Sequence, residues 1–175
     1  MILSTRSGCL LSLLLAAGTA ACRRGAPAAA PAPRQTLEDF TLRQSRQGNP
    51  LWALKSQSAV LREDERVVIL AGPSMEFLKA GRVVSRVRAL TGRALTDTHD
   101  VRLSGSVVLE AIDDRSVLST EYLDYSSKAG LFTTDAEITV RRPEGVLHGR
   151  GLKATPDLSE ISIYNQSAKV LGGAR

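Results

Sequence analysis

Aromatic side chains make up only 4% of the 175 residues, and cysteine occurs just twice. With so few rings to bury, Val, Leu, Ile and Ala must supply most of a core, and β-branched residues at alternating positions favour strands. Both cysteines, Cys9 and Cys22, lie in the N-terminal segment. The remaining chain therefore forms no internal disulfide, and its stability rests on packing alone. No Gly-x-Ser-x-Gly elbow, P-loop or dinucleotide fingerprint is present. The two histidines are His99, in a polar turn, and His148, in a strand-like stretch; neither has the ligand spacing of a zinc site. Asp113-Asp114 and the pair Asp97 and Asp100 offer carboxylates, yet aspartate in hairpin turns is ordinary turn chemistry. These absences argue against an enzyme and imply neither metal nor cofactor.

Clustered charge is missing as well. The formal net charge of +5 is carried mostly by arginine, with acidic residues interleaved and no polybasic run. That pattern reads as a solvated surface and not as a nucleic-acid interface, although a weak attraction to anionic membranes is compatible with it.

The N-terminus has the layout of a targeting segment over residues 1–22. Arg6 supplies the positive region, Leu10 to Ala17 the apolar run, and Thr19, Ala20 and Ala21 are the small residues before Cys22. Small residues directly before a cysteine resemble a bacterial lipobox, in which Cys22 would be acylated, with Thr19 standing where leucine is usual. Cleavage as an ordinary secreted protein and retention as an anchor helix are the alternatives, the latter being short for the ~20 residues that span a bilayer. Residues 23–36 are rich in proline and alanine and read as a tether reaching about 40 Å at ~3.1 Å per residue. The folded domain is expected over residues 37–171, with a flexible tail at 172–175.

Within that domain the strand-like stretch Val101–Glu110 sets the pattern: Val101, Leu103, Val107 and Leu109 alternate with polar residues, and Gly105 falls in the middle. Comparable stretches are Leu51–Leu61, Val67–Leu70, Ser74–Lys79, Val83–Ala89, Val117–Tyr125, Leu131–Val140, Val146–Ala154 and Ile161–Val170, separated by turn residues. Leu37, Phe40 and Leu42 fit either a helical turn or an entering strand. Gly72, Gly105, Asp135 and Gln166 recur at intervals of 33, 30 and 31 residues as candidate turn or bulge positions. No long helix is expected. An all-β chain of this kind fits a sandwich, a jelly roll or a β-solenoid.

Four motifs occur in an order more specific than any one alone. They are Trp52-x-Leu54-x-Ser56-x-x-Ala59; Leu103-x-Gly105-x-Val107-x-Leu109; Leu118-x-Thr120-x-x-Leu123-x-Tyr125 with Gly130 and Thr134-Asp135; and Gly149-x-Gly151-Leu152-x-Ala154. Together they resemble the LptC family, the membrane-attached component of the lipopolysaccharide export machine. The resemblance implies a twisted, partly open β-jelly roll of repeated antiparallel strands. Its apolar interior would take lipopolysaccharide from an inner-membrane ABC transporter complex (LptB, LptF and LptG type) and pass it to a periplasmic bridge protein of LptA type. An LptA-like bridge or carrier, or a scaffold lipoprotein without lipid cargo, is the alternative. The commonest form of the family keeps a transmembrane helix where this chain has Cys22 and the tether, which leaves the mode of anchoring open.

On this reading the interior walls are Trp52, Leu54, Val87, Val107, Leu109, Leu123, Phe132, Ile138, Leu152 and Ile163. The final strand, with Ile161, Ile163 and Val170, is expected to pair with the bridge protein, and the strand Leu51–Leu61 to face the transporter. Proline at position 163 would then weaken bridge pairing.

Overall fold

The computed structural model describes residues 34–170, with side chains through Asn165. Cys22, most of the tether and the tail lie outside the described residues. Eleven strands follow one another: β1 (Arg34–Arg46), β2 (Asn49–Arg62), β3 (Val67–Ala71), β4 (Ser74–Lys79), β5 (Arg82–Arg88), β6 (Thr91–Leu95), β7 (Val101–Ala111), β8 (Val117–Ser126), β9 (Leu131–Arg142), β10 (Gly145–Ala154) and β11 (Ile161–Val170). All pairings are antiparallel and belong to one sheet, an architecture consistent with a β-jelly roll. The segment with Leu37, Phe40 and Leu42 is strand, paired along β2.

Register shows that the apparent crossovers are breaks in long strands. β2 pairs Ser58 with Ala71 in β3 and Lys55 with Ser74 in β4, in one uninterrupted register. β3 with β6 and β4 with β5 likewise share one register, from Val67 opposite Leu95 to Phe77 opposite Ser85. β3–β4 and β5–β6 are therefore two halves of a single long hairpin, interrupted at Gly72-Pro73 and Ala89-Leu90. Proline has no amide to give to a ladder, so a break there is forced. The sheet is thus a simple meander in chain order.

The breaks line up with positive-φ residues or bulges in the neighbouring strands. Asp39 in β1, at φ 50°, lies between residues that pair on either side of Gln57 in β2, beside Gly72. The Gly72 amide donates to the Leu90 carbonyl, and the Leu90 amide to that of Gly105. Gly105 and Ser106, with φ of 80° and 49°, together face one residue of β8. In β9 the extra residue falls at Asp135-Ala136, opposite Gly151 of β10, which has φ 80°. A bulge bends its strand and increases twist, so this line creases the sheet as far as β10. Gly72, Gly105 and Asp135 are thus crease positions, as their spacing implied. Gln166 is not: β11 runs past Gly149 in unbroken register, and the residue facing Gly151 is Tyr164. The bulge there was absorbed between β9 and β10, which leaves β11 nothing to correct.

Two further differences concern an edge and an interior strand. The strand Leu51–Leu61 is no edge, since β1 covers it on one side and β3 and β4 on the other. The exposed edges among the described residues are β1 and β11. β6 carries too few large apolar residues to show alternation in the sequence. Its Gly92 lies against Pro73, Leu70 and the Arg102 carbonyl, so closely that a Cβ would come within 3.3 Å of all three.

Gly149 makes a sharper demand. A Cβ there would overlap Ile163 Cγ2 and sit 2.9 Å from the Asn165 carbonyl oxygen. Gly149→Ala should therefore push β11 off β10 and lower stability by about 1–3 kcal/mol. Thermal unfolding of the variant checks this; an unchanged melting temperature would refute the close packing.

Candidate functional site

Strand alternation puts one face of the sheet inside. Of the ten residues singled out as walls, nine are almost fully buried and Ile163 is half-buried against the same cluster. They meet because the creased sheet turns its first strands over its last ones. Trp52 of β2 and Phe77 of β4 pack on Tyr125 of β8 and Phe132 of β9, in edge-to-face or tilted contacts. The Phe77 ring centre is 4.8 Å from Tyr125 and 5.2 Å from Phe132; Trp52 and Tyr125 are 6.3 Å apart. Burial pushes the Tyr125 phenol up from its ordinary pKa, against the opposing pull of Arg46. This interior is filled by its own side chains.

The opposite face is wet and ionic. Glu76, Arg86, Glu110 and Arg88 alternate across β4, β5 and β7, with Arg86–Glu76 at 2.8 Å and Arg88–Glu110 at 2.5 Å. Arg102 grips Asp124 through two hydrogen bonds of 2.6 Å and lies over the Tyr122 ring. Hydrogen bonding to Asp124, and then its charge, hold the Arg102 pKa above its usual value. Exposed pairs of this kind are individually worth little, ~0–1 kcal/mol, but they oppose burial of this face.

A cavity of about 360 Å³ opens where the β4–β5 hairpin, the β8–β9 turn and the β10–β11 loop approach each other. Its floor is apolar, formed by Leu51, Phe77, Leu78, Val84 and Tyr125, and its rim carries Arg46, Lys79, Asp157 and Glu160. The mouth is held by side chains. Ser127 donates to Gln44 Oε1 at 2.7 Å, and Lys79 Nζ reaches Asp157 at 3.3 Å. The loop itself is knotted by Asp157, whose carboxylate accepts from the hydroxyls of Thr155 and Ser159 and from the Ser159 amide. Burial disfavours that charge, yet these bonds and Lys79 outweigh it and hold the carboxyl well below the usual carboxylate range. Next to it Leu158, at φ 55°, is completely buried. Neither Leu158 nor Lys79 stands out in the sequence, because a single leucine in a loop has no periodicity and Lys79 meets its partner from a distant part of the chain.

The carboxylates and histidines considered for chemistry are dispersed. Asp114 accepts from the Ser116 amide and hydroxyl, Asp97 from the Thr98 amide, and Asp100 from the Ser127 amide. His99 lies in the β6–β7 turn at φ 59°, and His148 is paired with Thr139 on β10 and β9. Among the described residues no group of three or more His, Cys, Asp or Glu is placed to hold a metal ion, and no helix is long and apolar enough to cross a membrane.

Comparison with known families adds the deciding observation. The model of the family described as lipopolysaccharide-assembly, LptC-related, matches residues 7–170. The chain belongs to that family. No curated protein matches it individually. Membership makes this chain a component of lipopolysaccharide transport, and the LptC-type motifs acquire physical roles. Gly105 is the bulge of β7, covered by Leu90; Gly149 lets Ile163 settle on the backbone of β10; Gly151 takes a left-handed conformation beneath Tyr164. Thr120 and Thr134 repair the crease: Thr120 donates to the Glu137 carbonyl at 2.9 Å, and Thr134 accepts from the Ala136 amide at 3.1 Å.

Asp157→Asn removes a charge that the folded state stabilises. Because the folded pKa is depressed, its contribution is complete above the ordinary carboxylate range and fades as pH falls below about 4. The variant should lose about 1–2 kcal/mol near neutral pH, and the difference in melting temperature should shrink toward pH 3. A difference independent of pH would show that the charge is not what the loop holds.

Proposed function

We propose that this protein accepts lipopolysaccharide from an inner-membrane ABC transporter and hands it to a periplasmic bridge protein, sheltering the acyl chains between the halves of the creased sheet. The observation that carries the reading is the combination of an aliphatic interior with a mouth where Arg46 and Lys79 stand over an apolar floor. Exposing hydrocarbon costs roughly 0.8 kcal/mol per CH₂, so a multi-acylated lipid needs such shelter in water. Arg46 suits a phosphorylated headgroup, Lys79 being held by Asp157, and the aliphatic walls suit chains. On this reading the role is transport and binding.

In this reading residues 1–22 attach the chain to the membrane, by acylation of Cys22 or as a retained segment, and residues 23–36 lead to the domain at 37–171, followed by the tail. The two open edges serve as docking strands: β1 toward the transporter and β11, with Ile161, Ile163 and Val170, toward the bridge. Edge strands with free backbone groups recruit partner strands. Mass spectrometry of the mature N-terminus decides between the two attachments.

Photo-crosslinking probes at Leu54, Val107 and Leu152 should label lipopolysaccharide in membranes energised with ATP, whereas a probe at exposed Arg82 should not. Failure of all three interior probes, in folded protein, would sink the lipid-sheltering role. Probes at Leu37 on β1 and at Ser162 on β11 should capture different proteins. Capture of the same partner by both would overturn the assignment of the two edges.

A further inference from the structure

Among the described residues four buried side-chain atoms have no partner; two, the Nε groups of Arg62 and Arg142, belong to partly exposed residues, and two, the Trp52 indole N–H and the Ser85 hydroxyl, belong to fully buried ones. Trp52 is 1% exposed and Ser85 is 0% exposed. Their isolation is specific. Of the other buried hydroxyl residues, Ser56 lies 2.7 Å from the carbonyls of Ser58 and Ala71, Ser116 donates to Asp114, Thr120 to Glu137, Ser127 to Gln44, and Thr134 accepts from Ala136. Each of these repairs a crease, a turn or the rim. Ser85 repairs nothing.

Register places the two orphans in one row. Trp52 faces Phe77, Phe77 faces Ser85, and Ser85 faces Ala111, all on the inner face. Phe77 and Val84, the neighbour of Ser85, line the floor of the mouth cavity, so this row borders the entrance. Leaving a buried donor unpaired costs on the order of 1–3 kcal/mol, and buried tryptophan N–H groups usually find a partner. An alanine at 85 would avoid that cost. The indole can only donate, and a serine hydroxyl can donate too; the complementary ligand therefore presents acceptors inside an otherwise apolar body.

We infer that Trp52 and Ser85 form a carbonyl-binding subsite that engages the acyl-linkage carbonyls of the lipid and so fixes how deeply its chains enter the interior. The inference rests on the lipid-sheltering role and adds to it a register. The two residues are two strand spacings apart, on the order of 10 Å at ~4.8 Å per step, so each meets its own carbonyl on a multi-acylated molecule. A plain hydrocarbon chain offers them no acceptor.

The probes are a synthetic tetra-acylated glucosamine disaccharide and an analogue in which methylene replaces the carbonyl of every acyl linkage, ester and amide alike. Trp52 is the sole tryptophan, so its emission reports the subsite directly. The ester-bearing lipid should bind more tightly than the analogue and shift Trp52 emission to the red, a shift the analogue does not produce. Ser85→Ala should weaken binding of the ester-bearing lipid about 3–10-fold, leave the analogue's affinity unchanged, and leave the melting temperature equal or higher. Equal binding of both lipids with no difference in emission, or an unaffected Ser85→Ala, would overturn the subsite while leaving lipid sheltering intact; the orphans would then hold only a buried water. If the wild-type protein bound neither lipid, the sheltering role itself would fall, and the subsite with it.

Discussion

A meandering sheet cannot bury one of its faces unless it bends, and here the bend is a single crease that runs across the sheet as far as β10. Each strand meets it differently. β3–β4 breaks at a proline, β7 adds a residue at Gly105-Ser106, β9 adds one at Asp135-Ala136, and β10 answers with Gly151 at positive φ. Such features weaken a ladder locally, because backbone groups lose partners. The cost is offset by polar side chains facing inward beside the crease: the hydroxyls of Ser56 and Thr120 reach stranded carbonyls, and Thr134 receives a stranded amide. Those residues look misplaced in an apolar core until the crease explains them.

Once the sheet is bent, few aromatic rings suffice to hold it. Four of the chain's seven aromatic residues, Trp52, Phe77, Tyr125 and Phe132, gather where the first strands cross the last. Each edge-to-face pair adds about 0.5–1.5 kcal/mol beyond the area it buries. Elsewhere the walls are aliphatic and small, and the ionic outer face ensures that only one side of the sheet can turn inward.

Much of this was legible because a two-residue period survives wherever a strand is long and one-sided. Val101–Ala111 shows it plainly, and the residues placed on its inner face are the buried ones. The crease was legible as a spacing of about 30 residues, which held for Gly72, Gly105 and Asp135 and failed at Gln166, where no bulge is needed. What escaped depends on contacts between distant segments. β1 is exposed along most of its length, so its hydrophobic signal is thin and the edge was assigned one strand too late. Lys79 and Asp157 are ordinary charged residues until the fold brings them to 3.3 Å. Leu158 is a loop residue by sequence and a core residue by burial.

The way the two halves close bears on what the interior can do. Along the meander they are joined by unbroken strand pairing, whereas across the mouth, among the described residues, β1 and β11 do not pair and only side chains meet. Parting strands that share a ladder would strip many backbone hydrogen bonds at once. Parting the mouth requires loss of one neutral hydrogen bond, one exposed ion pair and a few ring contacts, interactions of about 0.5–1.5 kcal/mol each or less. The apolar surface exposed would be the larger cost, and on the proposed function it is the cost that an entering acyl chain would cancel. A sheet hinged by backbone on one side and latched by side chains on the other would, on that proposal, stay shut in water and yield to a ligand that can replace its own core.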